Sequence, residues 1–179
     1  MKVNFFLLVF LGVAVSISGC GLLIGNVKPL SQKSNNYDVM NLSKNSNWID
    51  ISENSESSDD TSLSDFAYQS SETESVIALN SACREQKNRS EKSLKEFTDL
   101  LLLGVSKVSE RTERPMTIEN LDALETNIIG QVDSRTVKMQ TIVLKSKSCV
   151  FDFLYLSTPA NFSKEHSVFS SFVASFRLD

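Results

Sequence analysis

The sequence predicts an α+β fold, a twisted antiparallel sheet with packed helices. Three observations carry that prediction. Residues 121–130, 136–145 and 149–156 form three apolar or alternating runs, and the short polar stretches between them are those of an antiparallel meander. Residues 65–70 and 74–80 flank Ser71-Glu72-Thr73 and read as a short hairpin. Residues 91–103 and 162–176 carry apolar side chains at helical spacing.

The 179 residues are the length of one domain plus appendages. Lys2 precedes an apolar run over 5–15, long enough for the core of a signal peptide and too short to span a bilayer. The run ends in Ile17-Ser18-Gly19-Cys20, which resembles the bacterial lipobox, a branched apolar residue and two small residues before a cysteine. The resemblance implies diacylation of Cys20 through a thioether, cleavage after Gly19 and acylation of the freed amino group. Residues 1–19 are then a lipoprotein signal peptide. Two or more acyl chains, at about 0.8 kcal/mol per buried methylene, attach a protein stably where one chain is marginal. The competing reading is a secretory signal cut near Ser18, with Cys20 a bystander. Gly21 stands where an aspartate would, by resemblance to enterobacterial lipoproteins, favour the inner membrane. The expected address is therefore the bacterial cell envelope, at the periplasmic face of the outer membrane, with surface exposure as the alternative.

Residues 26–62 are rich in Ser, Asn, Asp and Lys with no sustained apolar period, so burial does not offset their ordering entropy. Residues 20–45 are expected to be anchor and flexible tether, reaching at most about 80 Å, and a single domain is expected over 46–179. Trp48-Ile49-Asp50-Ile51 alternates and starts the sheet. The acidic stretch 53–60 lacks the spacing and glycine turn of a calcium loop, so it reads as a solvated loop with no metal. Ser90 stands as N-cap for the helix over 91–103, with Gly104 as its left-handed stop. Leu94, Phe97, Leu101 and Val105 form its core stripe. In the second meander strand the alternation of Val137, Met139, Thr141 and Val143 with their neighbours fades toward Leu144, which predicts an end buried on both faces. Past Pro159, Phe162, Phe169, Phe172, Val173 and Phe176 mark the core stripe of the last helix.

This order of elements, closing on Phe169-Ser170-Ser171-Phe172-Val173-Ala174-Ser175-Phe176, resembles the PsbP-like α/β/α sandwich over residues 46–179. The resemblance implies that architecture. It says little of the task, because bacterial lipoproteins of that broad group are envelope proteins without a settled function.

Composition and motifs narrow the chemistry. A net charge of -4 gives no electrostatic support for a nucleic-acid partner, and three Cys with one His are too few for a zinc-finger array. The glycines of the expected domain, Gly104 and Gly130, lie in no phosphate-binding frame, and no GxSxG or SxxK motif is present. His166, in Lys164-Glu165-His166-Ser167, is expected on the exposed side of the last helix. Asp50, Asp122, Glu125, Asp133 and Asp152 lie on or beside strands, but an acid and base pair needs roughly 5 to 10 Å geometry that separation in sequence does not supply. No enzyme activity and no cofactor are expected.

Cys83 and Cys149 remain once Cys20 is acylated, an even pair in a compartment that permits oxidation. A disulfide between them closes a loop of about 65 residues and contributes around 4 kcal/mol on the chain-entropy model; two separately buried thiols are the competing reading. Without a CxxC pair a redox role is not expected. The leading expectation is a noncatalytic membrane-anchored envelope lipoprotein, a protein-interaction or accessory subunit that meets the membrane through Cys20 and an envelope protein through its domain. The alternative is a periplasmic lipid or small-molecule binding module. The two differ in whether Phe162, Phe169, Phe172 and Phe176 are all used in the core or line a pocket above about 300 Å³.

Overall fold

Side-chain alternation builds the sheet, and helical spacing builds the layers that cover it. The computed structural model describes residues 28–29, 37–52, 64–83, 92–146 and 149–178. The expected leader, Cys20, the acidic stretch 53–60 and Ser90 lie outside these residues. The chain runs through β1 (Lys28–Pro29), β2 (Tyr37–Asp38), a 3-10 turn (Leu42–Lys44), β3 (Trp48–Asp50), β4 (Phe66–Ser70) and β5 (Val76–Cys83). It continues through α1 (Leu94–Leu101), β6 (Ser106–Ile118), β7 (Leu121–Val132), β8 (Arg135–Lys145), β9 (Cys149–Ser157), α2 (Phe162–Ala174) and β10 (Arg177–Leu178). The main sheet has the order β3-β4-β5-β9-β8-β7-β6, with β1 beside the end of β5, and β10 and β2 form a separate ribbon. Every pairing is antiparallel. The α+β class, the β4–β5 hairpin and the β7–β9 meander stand as expected from sequence.

Alternation sends Phe153 and Tyr155 of β9 to one face and Leu154 and Leu156 to the other. On the first face, Phe162, Phe169 and Phe172 of α2, with Phe176 beyond it, close the main core over Tyr68, Ile77, Leu79, Ile142, Leu144, Phe151, Phe153 and Tyr155. The rings interlock edge to face, Phe153 lying 5.3 Å from Phe176 and 6.1 Å from Phe172 between centroids. On the second face a smaller core of Leu102, Ile128 and Met139, joined by Leu154 and Leu156, packs at the end of α1. Residues 139–144 of β8 run between both layers and are all buried.

The hairpin turns have a clear local cause. Asp133 and Ser134 join β7 to β8 with φ 47 and 67, and Glu119 and Asn120 join β6 to β7 with φ 49 and 60. Left-handed conformation at both central residues matches the twist of the flanking strands. Gly130 serves close approach instead, since a Cβ there would meet Val105 Cγ1 at 2.6 Å and the Ser106 carbonyl at 3.0 Å. Cys83 and Cys149 are register partners on β5 and β9 and are joined by a disulfide, with their Cα atoms 4.0 Å apart.

Four expectations are corrected. The folded unit takes in residues 37–45, so these are not tether: Tyr37, Val39 and Leu42 are buried in the main core, and β2 pairs with β10. Helix α1 starts at Ser93, whose side chain and that of Glu96 form a reciprocal capping box. The helix ends on Leu102, and Gly104 takes no left-handed conformation. Strand β6 was not expected at all. Its residues 106–115 are exposed, so no alternation of buried and exposed positions betrays them.

Candidate functional site

A cleft opens where the sheet is wider than the helix laid on it. Helix α2 covers β9, while β7 and β6 extend past its flank. Register places Arg114, Glu125 and Ile142 in one row across β6, β7 and β8, with Met116, Ala123 and Leu144 in the next. The space between these rows and α2 has a volume of about 430 Å³. Its floor is apolar, from Met116, Ile118, Ile142, Phe169, Val173 and Phe176, and its rim is polar, from Arg114, Glu119, Glu125, Gln140, His166 and Arg177.

The rim groups come in partnered pairs. Arg114 meets Glu125 at 2.9 Å and Arg177 meets Glu119 at 3.4 Å, so the charges of the rim cancel. The Glu125 carboxylate raises the pKa of the Arg114 guanidinium. His166 Nε2 lies 2.7 Å from Gln140 Oε1. The amide oxygen only accepts, so this bond requires the proton on Nε2.

His166 is half-buried rather than exposed, which corrects the reading of its polar neighbours. Its ring centroid lies 5.5 Å from that of Phe162 and 6.5 Å from that of Phe169. The signal was present: Phe162, His166, Phe169 and Val173 follow one another at spacings of four, three and four, the stripe of a single helix face. Its hydrogen-bond partner at Nε2 is an amide, whereas an imidazole base is ordinarily oriented by a carboxylate. Arg114, Met116 and Ile118 also alternate in the sequence, a period-two signal for the cleft wall of β6.

The carboxylates singled out from sequence are dispersed. Asp50 on β3, Asp122 on β7 and Asp133 in the β7–β8 turn are exposed. Glu125 stands at the cleft, and Asp152 is buried on the opposite face of the sheet. No two of the five are register partners. Burial lifts the Asp152 carboxyl to about 7, and the Asp65 charge adds to the rise while the Asn80 hydrogen bond opposes it. Among the described residues no group of three or more His, Cys, Asp or Glu side chains is placed to hold a metal ion. No helix among them is long and apolar enough to cross a membrane.

Two further polar clusters tie elements together. Tyr37 donates to Asp65 at 2.6 Å and Ser81 donates to the same carboxylate. Burial raises both the Asp65 carboxyl and the Tyr37 phenol, although the hydrogen bonds from Ser81 and Tyr37 partly offset the rise at Asp65. At the other end of the sheet Ser70 donates to Glu165 of α2 at 2.6 Å, Thr73 bonds the same carboxylate, and Ser75 meets Ser157 at 2.8 Å. These hydroxyls fasten the β4–β5 turn to the first turn of α2.

Neither a protein-family model nor a curated protein sequence matches the chain. Solved structures do match. The solution structure of cyanobacterial PsbP (CyanoP) from Synechocystis sp. PCC 6803 superposes with a TM-score of 0.56 at 10% identity, over 89% of this chain and 96% of that one. The crystal structure of LpqN, involved in cell envelope biogenesis of Mycobacterium tuberculosis, has a TM-score of 0.56 at 9% identity, over 84% and 89%. At such identities the likeness is one of fold, and the fold of this chain is PsbP-like.

Proposed function

We propose that the chain is a noncatalytic accessory lipoprotein of a bacterial envelope, tethered through Cys20, whose domain takes an elongated and largely apolar molecule into the cleft beside α2. The cleft itself carries this reading. Its volume of about 430 Å³ falls within the range of small-molecule sites. All four phenylalanines that separate the two expectations are buried in the main core, and two of them, Phe169 and Phe176, also form part of the cleft floor. The paired rim charges favour a ligand with an apolar body and an uncharged polar end, since a net charge would find a neutralised partner on either side. The envelope setting rests on the lipobox-like Ile17-Ser18-Gly19-Cys20, and the fold is shared with LpqN, itself involved in cell envelope biogenesis.

A photoactivatable long-chain alcohol added to membranes bearing the full chain tests the cleft. Mass spectrometry is expected to find adducts on Met116, Ile142 or Val173. Ala174→Trp, at an exposed position on the cleft wall, is expected to abolish them while leaving the thermal unfolding transition in place. Adducts that persist unchanged in this folded variant sink the reading. Incorporation of labelled palmitate, present in the wild type and lost in Cys20→Ser, tests the tether.

A further inference from the structure

Among the described residues strand β6 ends the sheet, paired on one side with β7. Open edges in natural sheets are commonly blunted by bulges, prolines and charges. Here a register shift lies between Ser106 and Glu110, with Lys107 at φ 46, and Pro115 stands at the other end. Between the two, Glu110-Arg111-Thr112-Glu113-Arg114 stays in unbroken register with β7, and all five residues are exposed.

The backbone of these five residues is in phase for a second partner. In an antiparallel ladder, alternate residues turn their N–H and C=O groups to one neighbour and then to the other. A strand proline, which has no N–H to give, sits with that position on the open side. Arg111 and Glu113, four and two residues before Pro115, share its phase and present their backbone groups to the open edge.

We infer that β6 pairs with β6 of a second copy of this chain, antiparallel, about a two-fold axis at Thr112. The sign pattern selects this partner and this register. With the axis at Thr112, Glu110 faces the partner's Arg114 and Arg111 faces the partner's Glu113, each contact occurring twice. An axis at Arg111 or at Glu113 sets that residue against itself. Axes halfway to either neighbour of Thr112 set Glu110 against the partner's Glu113, or Arg111 against the partner's Arg114. A parallel in-register pairing sets every charge against its like.

The side chains are placed to serve both neighbours. Arg111 is held by Asp99 at 2.5 Å and by Glu113 at 2.6 Å, and Lys95 of α1 reaches Glu113 at 3.2 Å, which fixes the strand against α1. Arg114 keeps 70% of its side chain exposed beside Glu125, leaving its guanidinium open to a second carboxylate. Glu110 makes no ion pair among the described residues and supplies that carboxylate across the axis. Exposed ion pairs contribute little affinity, so the charges choose register and partner while the backbone bonds hold the edges together.

The test uses the full chain in detergent solution, with mass read by sedimentation. The wild type is expected to be dimeric. Glu110→Arg alone and Arg114→Glu alone each set like charges together at two symmetric contacts and are expected to weaken association about tenfold or more. Mixing these two variants brings each reversed charge against its opposite, and the dimer is expected to return. A second measurement needs no charge change. In the proposed register Thr112 meets its own copy in a non-hydrogen-bonded pair, with Cα atoms about 4.5 Å apart. Thr112→Cys is therefore expected to give a disulfide-linked dimer on oxidation in native membranes. A wild type that is monomeric and yields no such cross-link overturns the proposal. So do single variants that remain dimeric, a mixture that fails to reassociate, or a Thr112→Cys chain that cross-links to a different envelope protein.

Discussion

Asp152 and Asn80 are register partners on the central strands, and the Asn80 amide donates to Asp152 Oδ2 at 2.6 Å. Among the described residues the amide oxygen of Asn80 has no partner. A protonated Asp152 is complementary to it, because a carboxylic acid beside an amide offers one acceptor and one donor. This fits a carboxyl raised to about 7, chiefly by burial. The native state keeps a proton that the unfolded chain releases near pH 4, so the unfolded state binds fewer protons through that interval. The contribution of this group to stability is therefore expected to be full below about pH 4 and to fall as pH rises from about 4 to 7, by on the order of 3 kcal/mol. Asp152→Asn supplies the same donor and acceptor without ionising. In urea unfolding it is expected to match the wild type at pH 4, exceed it at pH 8, and flatten most of the slope. Asp65, also raised by burial, leaves a residual slope of the same sign. A variant that keeps the full wild-type slope removes Asp152 from the account.

At the scale of elements, the N-terminal segment shows where composition misleads. Residues 26–62 read as spacer, yet Tyr37 lies 5.2 Å from Phe151 and 5.7 Å from Phe176 between ring centroids, and Met40 donates its N–H to Ser175 Oγ at 2.9 Å. Three buried side chains, Tyr37, Val39 and Leu42, anchor this segment to the end of α2. Deleting residues 1–36 is expected to leave cooperative unfolding intact. Deleting 1–44 removes those side chains and the Tyr37 donor to Asp65, a loss of several kcal/mol at roughly 2 kcal/mol per buried side chain, and is expected to leave a loosened domain that unfolds without a sharp transition. Equal cooperativity of the two truncated chains excludes a structural role for the segment. The meander and α2 were legible because their apolar residues recur with a period that local geometry enforces. Strand β6 was not, because Ser106 to Pro115 face water whichever way they point. The cleft was only half legible: the stripe Phe162, His166, Phe169 and Val173 was readable, but the rows that oppose it come from three other strands, and no local pattern encodes how far α2 reaches across them.

At the scale of the whole molecule, the Cys83–Cys149 bridge joins β5 to β9 across a sequence separation of 66. The closed loop contains α1, β6, β7 and β8, so the bridge links the first hairpin to the meander directly rather than through the intervening chain. The eight register pairs of β5 and β9 set the same topology without it. Its contribution is therefore expected mainly in the unfolded state, where it removes conformations that the open chain would otherwise explore, about 4 kcal/mol for a loop of this length. Cys83→Ser and Cys149→Ser are expected to lower stability by similar amounts, roughly 2 to 5 kcal/mol. The double variant is expected to be little worse than either single one, because one bond is lost in all three. Burial tests the argument further, since Cys149 is 7% exposed and Cys83 is only partly buried. If packing of the sulfurs dominated, Cys149→Ser would be the costlier change and the two losses would add. Urea midpoints of the three variants, with and without reductant, separate the cases: near-additive losses, or a wild type that reductant leaves unmoved, would show that the bridge does not constrain the unfolded chain.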